Sequence, residues 1–122
     1  MTKRNEAIPP RLTTPVVSET EFQSWVIDVA RIYGWLVMHT RPAMKKDGSY
    51  SSPIQGTKGY PDLTLTHPTR GEFIVAELKS DTGKVTAEQQ VWIDALHKAG
   101  VRVDVWRPRN SDHVRRILSG EA

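Results

Sequence analysis

The stretch Gly59-Tyr-Pro-Asp-Leu-Thr-Leu-Thr-His-Pro-Thr-Arg-Gly-Glu-Phe-Ile-Val-Ala-Glu-Leu-Lys79 contains two strand patterns separated by a turn. The strand patterns cover residues 62–66 and 72–79. The turn between them covers residues 68–71, which begin with Pro and end with Gly. The second strand is apolar on both faces through its middle, which is typical of a central strand covered on both sides. The stretch therefore predicts an antiparallel hairpin whose second strand lies inside a sheet.

The register of this hairpin brings two acidic residues together. If the turn is centred on residues 68–71, Thr64 pairs with Val75 and Asp62 pairs with Glu77. Two carboxylates directly opposite each other on one sheet face lie about 5 Å apart and repel, unless a proton or a cation sits between them. Lys79 follows on the same face. An isolated Glu-x-Lys is more often a structural ion pair, but the opposed Asp62 favours a divalent cation site.

The elements on either side of the hairpin complete an α/β pattern. Ser18 and Glu21 form a capping box that begins a helix, which ends at Gly34. A strand follows at residues 35–39. After the hairpin, the pattern predicts a helix from Thr86 to Gly100, a strand over 101–106 and a short helix over 111–119. The order αβββαβα predicts a mixed central sheet flanked by helices.

Length and composition exclude several classes of protein. The chain has 122 residues, of which 38% are hydrophobic and 25% charged, as expected for one globular domain. We expect a loosely ordered arm at residues 1–17 and a single domain over 18–122. There is no cysteine, which excludes disulfides, thiolate zinc sites and a cysteine nucleophile. No apolar stretch is long enough for a membrane span or a signal peptide, so we expect a cytoplasmic protein.

Several motifs together resemble a known nuclease family. Gly59-Tyr-Pro-Asp62, followed after a spacer by Glu77-Leu-Lys79, is similar to the PD-(D/E)XK nuclease motif. Other features resemble the VRR-NUC branch of this superfamily. They are an N-terminal helix that carries a Glu, Ala-Glu-Leu-Lys at residues 76–79, Val-Thr-Ala-Glu-Gln-Gln-x-Trp at 85–92 and Val-x-Val-Trp at 103–106. The resemblance implies a restriction-endonuclease-like αβββαβ core and a metal-dependent endonuclease that hydrolyses DNA.

The resemblance also implies roles for particular residues. Asp62, Glu77 and the backbone carbonyl of Leu78 would hold Mg²⁺, for which Mn²⁺ would substitute. The absence of cysteine and of a paired histidine agrees with a hard, oxygen-ligated ion. Lys79 would orient or help to deprotonate the attacking water, or would stabilise the charge that develops on the phosphate.

Two more catalytic candidates have a structural alternative. The family places a glutamate on the first helix, and both Glu19 and Glu21 are available. Glu21 already serves the capping box, so Glu19 is favoured. Gln89 matches a glutamine of the family, but Thr86 and Gln89 also form a capping box, and one geometry could serve both roles.

A basic segment is the candidate DNA-binding region. Residues 41–59 form a long stretch without a periodic pattern, in which the only acid is Asp47, and long loops of this kind are usually functional or disordered. Whether this loop becomes ordered only on DNA is left open by the sequence. Positive charge suits contacts with a phosphate backbone. The predicted DNA-binding residues are the basic residues of this segment and the histidine before it: His39, Arg41, Lys45, Lys46 and Lys58.

The resemblance further suggests a homodimer that cuts branched DNA, with Holliday junctions as the leading substrate. A flap nuclease is an alternative within the same chemistry. A non-catalytic nucleic-acid-binding module of the same fold is an alternative from another class, and an enzyme acting on a small molecule is a third. The intact set of Asp62, Glu77 and Lys79 argues against a non-catalytic module, because nothing else would retain a repelling pair of acids.

The remaining histidines, tryptophans and arginines favour structural interpretations. His67 lies in the hairpin turn and is expected to be solvated. Trp25, Trp35 and Trp92 are expected in the core rather than as platforms for bases. Arg107 and Arg109 follow the last strand, where solvated charge is the default and contact with DNA is the alternative.

Overall fold

The computed structural model describes residues 17–40, 43–44, 50–51 and 56–122. Most of the predicted arm, residues 1–16, lies outside the described residues, and so do Arg41, Lys45 and Lys46. Val17, the last residue assigned to that arm, is instead buried and belongs to the main hydrophobic core. The described part of the domain therefore begins with a packed residue.

The order of the main elements is the one that the sequence predicts, with shifts of one or two residues at the ends. The structure adds two very short strands inside the segment that was expected to have no regular structure, because two-residue strands leave no periodic pattern. The elements are α1 (Glu19–Ile32), β1 (Leu36–His39), β2 (Ala43–Met44), β3 (Tyr50–Ser51), β4 (Leu63–His67), β5 (Glu72–Leu78), α2 (Ala87–Lys98), β6 (Val103–Trp106), a 3₁₀ turn (Pro108–Asn110) and α3 (Ser111–Ser119).

The main sheet has four strands in the order β1-β4-β5-β6, and β2 pairs separately with β3. β1 and β5 each pair antiparallel with β4, while β5 and β6 are parallel, so the sheet is mixed. The observed pairs include Thr64 with Val75 and Thr66 with Phe73, which confirms the predicted register of the hairpin. β5 is an inner strand, and its residues from Ile74 to Leu78 are buried.

Helices cover the two faces of this sheet unequally. α1 and α3 pack on one face, where apolar side chains such as Leu63, Leu65 and Ile74 form the larger core. α2 packs on the other face against Val75 and Val103. Burial of each such side chain contributes about 1.5–3 kcal/mol through the hydrophobic effect. β5 contributes to both cores, which fixes the position of its C-terminal end.

The first helix has the start and the end that its sequence predicts. The Ser18 hydroxyl accepts from the Glu21 amide at 3.0 Å, and the Glu21 carboxylate accepts from the Ser18 amide at 3.0 Å. Phe22 and Val26 form part of its fully buried face. Gly34 ends the helix with a φ of +90°, a conformation that favours glycine.

The expectation of a solvated His67 is wrong. Its side chain is 7% exposed, and its Nε2 lies 2.7 Å from the carbonyl oxygen of Tyr33, at the end of α1. The amide of Arg70 donates to Nδ1 at 3.1 Å, so Nε2 carries the proton and donates to Tyr33. The ring also packs edge-on against Trp35. His67 therefore joins the β4–β5 turn to the first helix, which a sequence pattern cannot reveal.

Of the three tryptophans predicted to lie in the core, Trp25 and Trp35 are there, since each is at most 7% exposed. Trp92 is only half-buried, and its indole N–H donates to the carbonyl of Thr57 at 3.1 Å. Over the described ranges, no helix has both the length and the apolar character needed to cross a membrane.

Candidate active site

An acidic pair and a lysine meet where β5 ends. Glu77 is 1% exposed, Lys79 is 8% exposed and Asp62, just before β4, is 9% exposed. The Asp62 carboxylate oxygen Oδ2 accepts from the amide of Leu78 at 2.9 Å, which holds Asp62 across the end of β5. The main-chain carbonyl of Asp62 accepts from the Thr40 amide at 3.0 Å. The site is therefore built on paired strands rather than on a loop.

The Glu77 carboxylate has two different environments. Its Oε2 lies 3.3 Å from the ammonium of Lys79, in an ion pair that is almost completely buried. Its Oε1 is buried without a hydrogen-bond partner. A buried oxygen left in this way costs about 1–3 kcal/mol relative to a paired one. Oε1 of Glu77 can therefore accept a hydrogen bond or bind a cation.

Burial, followed by the nearby charge of Asp62, raises the pKa of Glu77 to about 7. The ammonium of Lys79 acts in the opposite direction without cancelling the rise. Such a shift means that the negative charge of Glu77 is poorly compensated by the protein alone. Strong perturbation of this kind is characteristic of functional sites.

The structure gives Glu19 and Glu21 different surroundings. Glu21 is occupied by the capping box, and its hydrogen bond with the Ser18 backbone lowers the pKa of its carboxyl. Glu19 is half-buried, and its charge adds to the rise in the pKa of Glu77. Glu19 is therefore close enough to act on the site electrostatically, whereas Glu21 completes the N-terminus of α1.

The turn before Asp62 explains the glycine of the motif. Gly59 has a φ of +102°, and a Cβ there would lie 2.5 Å from the carbonyl oxygen of Glu88 in α2. No other residue fits, because both the conformation and the backbone contact exclude a side chain. Pro61 is buried, and its carbonyl accepts from the Thr40 hydroxyl at 2.7 Å. The first turn of α2 thus packs on the segment that delivers Asp62.

Gln89 forms the predicted capping box. Its side-chain oxygen accepts from the Thr86 amide at 2.9 Å, and the Thr86 hydroxyl accepts from the Gln89 amide at 3.1 Å. Because Gly59 contacts the backbone of this same turn, Gln89 begins α2 beside the approach to Asp62. The capping role is observed, and a role for Gln89 at the active site stays a prediction.

The described members of the predicted DNA-binding set are exposed. His39 ends β1, and Lys58 lies in the turn before Gly59. Trp92 holds that turn through its hydrogen bond to Thr57, and its ring meets Tyr60 edge-on with the centroids 5.0 Å apart. The turn that leads into the active site is therefore anchored to α2.

Arg109 is exposed as expected, whereas Arg107 is half-buried rather than solvated, and both bind the loop that follows Lys79. The Arg107 guanidinium donates to the carbonyl of Ser80 at 2.8 Å and also to that of Gly83. Arg109 binds Asp81 through its backbone amide and its guanidinium, each at 2.9 Å. A favourable carbonyl partner 24 or 27 residues away is not visible in a local pattern.

Sequence reasoning missed Gln23. This side chain of α1 is 8% exposed, and its Oε1 has no hydrogen-bond partner. The signal that could have found it is its spacing, because a polar residue four positions after Glu19 interrupts the buried face of the helix.

A divalent cation at this site requires several oxygen donors. Within the described ranges, no group of three or more His, Asp or Glu side chains is placed to hold an ion. The predicted donors are the carboxylates of Asp62 and Glu77 and the backbone carbonyl of Leu78. Mg²⁺ is commonly held by one or two carboxylates and keeps several waters. Together with the unpartnered Oε1 of Glu77, the residues present fit such an ion.

A mixed sheet with Asp62 just before β4, and with Glu77 and Lys79 where β5 ends, is the arrangement of the PD-(D/E)XK class of nuclease domains. Residues 51–110 match the model of the VRR-NUC domain. A solved structure described as a VRR_NUC domain protein superimposes with a TM-score of 0.52 and 22% identity, covering 84% of this chain and 91% of that one, which shows the shared fold. The match over residues 51–110 and the shared fold therefore relate this chain to the VRR-NUC family, which belongs to the PD-(D/E)XK superfamily.

A curated relative is similar over a shorter stretch. The Fanconi-associated nuclease 1 homolog of Schizosaccharomyces pombe is 37% identical over 49 residues. The aligned stretch covers 40% of this chain but only 7% of that protein. The similarity therefore concerns a nuclease domain and not the whole of the larger protein.

Proposed function

We propose that this chain is a divalent-metal-dependent endonuclease that hydrolyses phosphodiester bonds in DNA. The observation that carries the proposal is the buried Glu77, which has one oxygen paired with Lys79 and the other without a partner, beside Asp62. A structural ion pair would not require a second acid at the same point, because that acid adds repulsion. The VRR-NUC match supports the same chemistry.

In this proposal Asp62, Glu77 and the Leu78 carbonyl hold Mg²⁺, and Mn²⁺ substitutes for it. The bound ion supplies Lewis-acid chemistry, which acidifies water and offsets negative charge on the scissile phosphate. Lys79 is held by Glu77 so that its ammonium orients the attacking water or stabilises the developing phosphorane charge. No covalent nucleophile is needed.

Glu19 and Gln89 are the remaining proposed catalytic residues. Glu19 adds negative charge near Glu77, which would increase the attraction of the site for a cation. Gln89 begins α2 beside the turn that delivers Asp62, and its amide oxygen is held by the Thr86 amide. That bond fixes the orientation of the side chain while it stabilises the helix.

DNA is the proposed substrate, and the proposed contacts to it are made by the basic residues of segment 41–59 and by His39 before it. His39 and Lys58 are exposed, and Arg41, Lys45 and Lys46 belong to the same segment of sequence. Each phosphate contact made by a lysine or arginine releases counterions, so binding should weaken steeply with salt. Tight, salt-sensitive binding to DNA would exclude an enzyme that acts on a small molecule.

We further propose a homodimer acting on Holliday junctions or other branched DNA, because two sites related by a two-fold axis suit two strands. The support for this substrate is the resemblance to the VRR-NUC branch. A flap nuclease is the alternative. Sedimentation of the protein with and without a four-way junction tests the dimer, and a monomer in both samples would contradict it.

The activity is tested with labelled four-way junction, flap and linear duplex DNA in the presence of Mg²⁺. Asp62→Asn should abolish cleavage and leave DNA binding unchanged or tighter, because it removes one ion-binding carboxylate and one negative charge. Asp94→Asn is the matched control, since Asp94 is exposed on α2 and bonded to Gln90. Equal cutting of all three DNAs would remove the branched-DNA proposal. Binding without cleavage under Mg²⁺ and Mn²⁺ would establish the non-catalytic module instead.

A further inference from the structure

Gln23 has a buried amide oxygen that the protein does not use. Its side chain is 8% exposed, and its Oε1 has no hydrogen-bond partner. Among the side chains that the structure describes, the other buried oxygen in this condition is Oε1 of Glu77. Leaving a buried acceptor unpaired costs about 1–3 kcal/mol, and an apolar residue of similar shape would avoid that cost. The presence of glutamine therefore needs a reason other than packing.

The position of Gln23 in α1 connects it with the active site. Residues four apart lie on the same side of a helix, so Gln23 follows Glu19 one turn later. Side chains in helices lean toward the N-terminus and cover the preceding turn, which here is the turn of Glu19. The charge of Glu19 acts on Glu77. Gln23 therefore lies on the buried side of α1, which packs against β5, the strand that carries Glu77.

We propose that Gln23 is a positioning residue of the active site, whose amide oxygen accepts a hydrogen bond from a water bound to the divalent cation at Asp62 and Glu77. The inference rests on the proposed function, because it requires the cation. A neutral acceptor suits this position in the metal-free protein, where Asp62 and Glu19 already repel the charge of Glu77 and a further carboxylate would increase that repulsion. Groups of this kind orient the ligands of metal ions, and their removal typically lowers metal affinity by about 10–100-fold.

The test compares Gln23→Met with the wild-type protein. Methionine has a similar length and no amide, so the metal-free variant should unfold at the same temperature or a higher one. Its affinity for Mn²⁺, measured by isothermal titration calorimetry without DNA, should fall by about tenfold. Gln90→Met is the matched control, because Gln90 is exposed and bonded only to Asp94 on the surface of α2 among the described contacts; its Mn²⁺ affinity should equal that of the wild type.

A second variant covers the case in which methionine does not fold. Gln23→Glu keeps an acceptor oxygen at the same place, so it should bind Mn²⁺ at least as tightly as the wild type. If Gln23→Met unfolds at a higher temperature and binds Mn²⁺ with wild-type affinity, Gln23 is only a core residue and the inference fails. The inference also fails if Gln23→Glu loses Mn²⁺ binding.

The same titration separates this inference from the proposed function. If Asp62→Asn loses Mn²⁺ binding and Gln23→Met does not, the metal site stands and the role of Gln23 falls. If the wild-type protein binds no Mn²⁺ at all, both proposals fall together.

Discussion

Replacing Glu77 with glutamine should stabilise the metal-free protein at neutral and alkaline pH. The carboxyl is 1% exposed, and its pKa rises from an ordinary 4.5 to about 7 through burial and the charge of Asp62. Glutamine resembles the protonated form, so Glu77→Gln removes the cost of ionising this buried group. The shift corresponds to about 3 kcal/mol in the free energy of unfolding, or roughly 10 °C in the melting temperature of a domain of this size.

The pH dependence has a definite sign. Since the pKa of Glu77 is higher in the folded protein, the folded state binds more protons between pH 4.5 and about 7. The contribution of Glu77 to wild-type stability is therefore fully present below that window and is lost as the pH rises through it. Glu77→Gln lacks this loss, so the difference in the free energy of unfolding between the two proteins should grow from pH 4.5 to about pH 7 and then stay constant.

Urea denaturation in the presence of a chelator, from about pH 4 to about pH 8, measures this difference. Glu72→Gln is the control with the opposite sign, because the hydrogen bond from Arg70 lowers the pKa of the partly exposed Glu72. If Glu77→Gln is less stable than the wild type at pH 8, or if the difference does not change with pH, the reasoning is refuted. With excess Mg²⁺ the order should reverse, since only the wild-type protein gains from binding the ion.

Three further substitutions test how the site is held. Gly59→Ala should destabilise the protein by about 2 kcal/mol or more and reduce cleavage, because its Cβ would meet a backbone carbonyl at 2.5 Å. The control Gly71→Ala, at a positive φ with no neighbouring atom, should be less destabilising and should retain cleavage. Equal losses of stability in urea denaturation would contradict this prediction. Arg107→Lys should lower kcat and change KM less, because one ammonium replaces the guanidinium that binds two carbonyls in the loop after Lys79. An unchanged kcat would show that this loop does not position Lys79. His67→Phe should lower the free energy of unfolding by about 1–2 kcal/mol with little effect on kcat, and a large loss of activity would refute a purely structural role.

The hairpin was predictable because its information is local. The turn at residues 68–71 and the alternation on both sides determine one register, which the structure shows from Leu63–Ala76 to His67–Glu72, one pair short of Asp62 and Glu77. The restriction-endonuclease-like order of elements followed from equally local caps and periodicities. The acidic pair could therefore be predicted from the sequence.

The parts that could not be predicted depend on distant partners. His67 is buried because a carbonyl of Tyr33 faces it, and Arg107 is immobilised by carbonyls of a loop that follows another strand. A sequence does not show that an oxygen such as Oε1 of Gln23 is buried without a partner. The short β2–β3 ladder left no pattern because two residues are too few for an alternation.

The most direct measurement is a crystal structure with Mn²⁺, in which the anomalous signal locates the ion. The account predicts a peak within coordination distance of the carboxylates of Asp62 and Glu77, with the Lys79 ammonium beside it and an ordered water against Oε1 of Gln23. An ion bound elsewhere, or an unchanged Glu77–Lys79 pair with no peak at saturating Mn²⁺, would contradict the claim that these acids exist to bind a divalent cation.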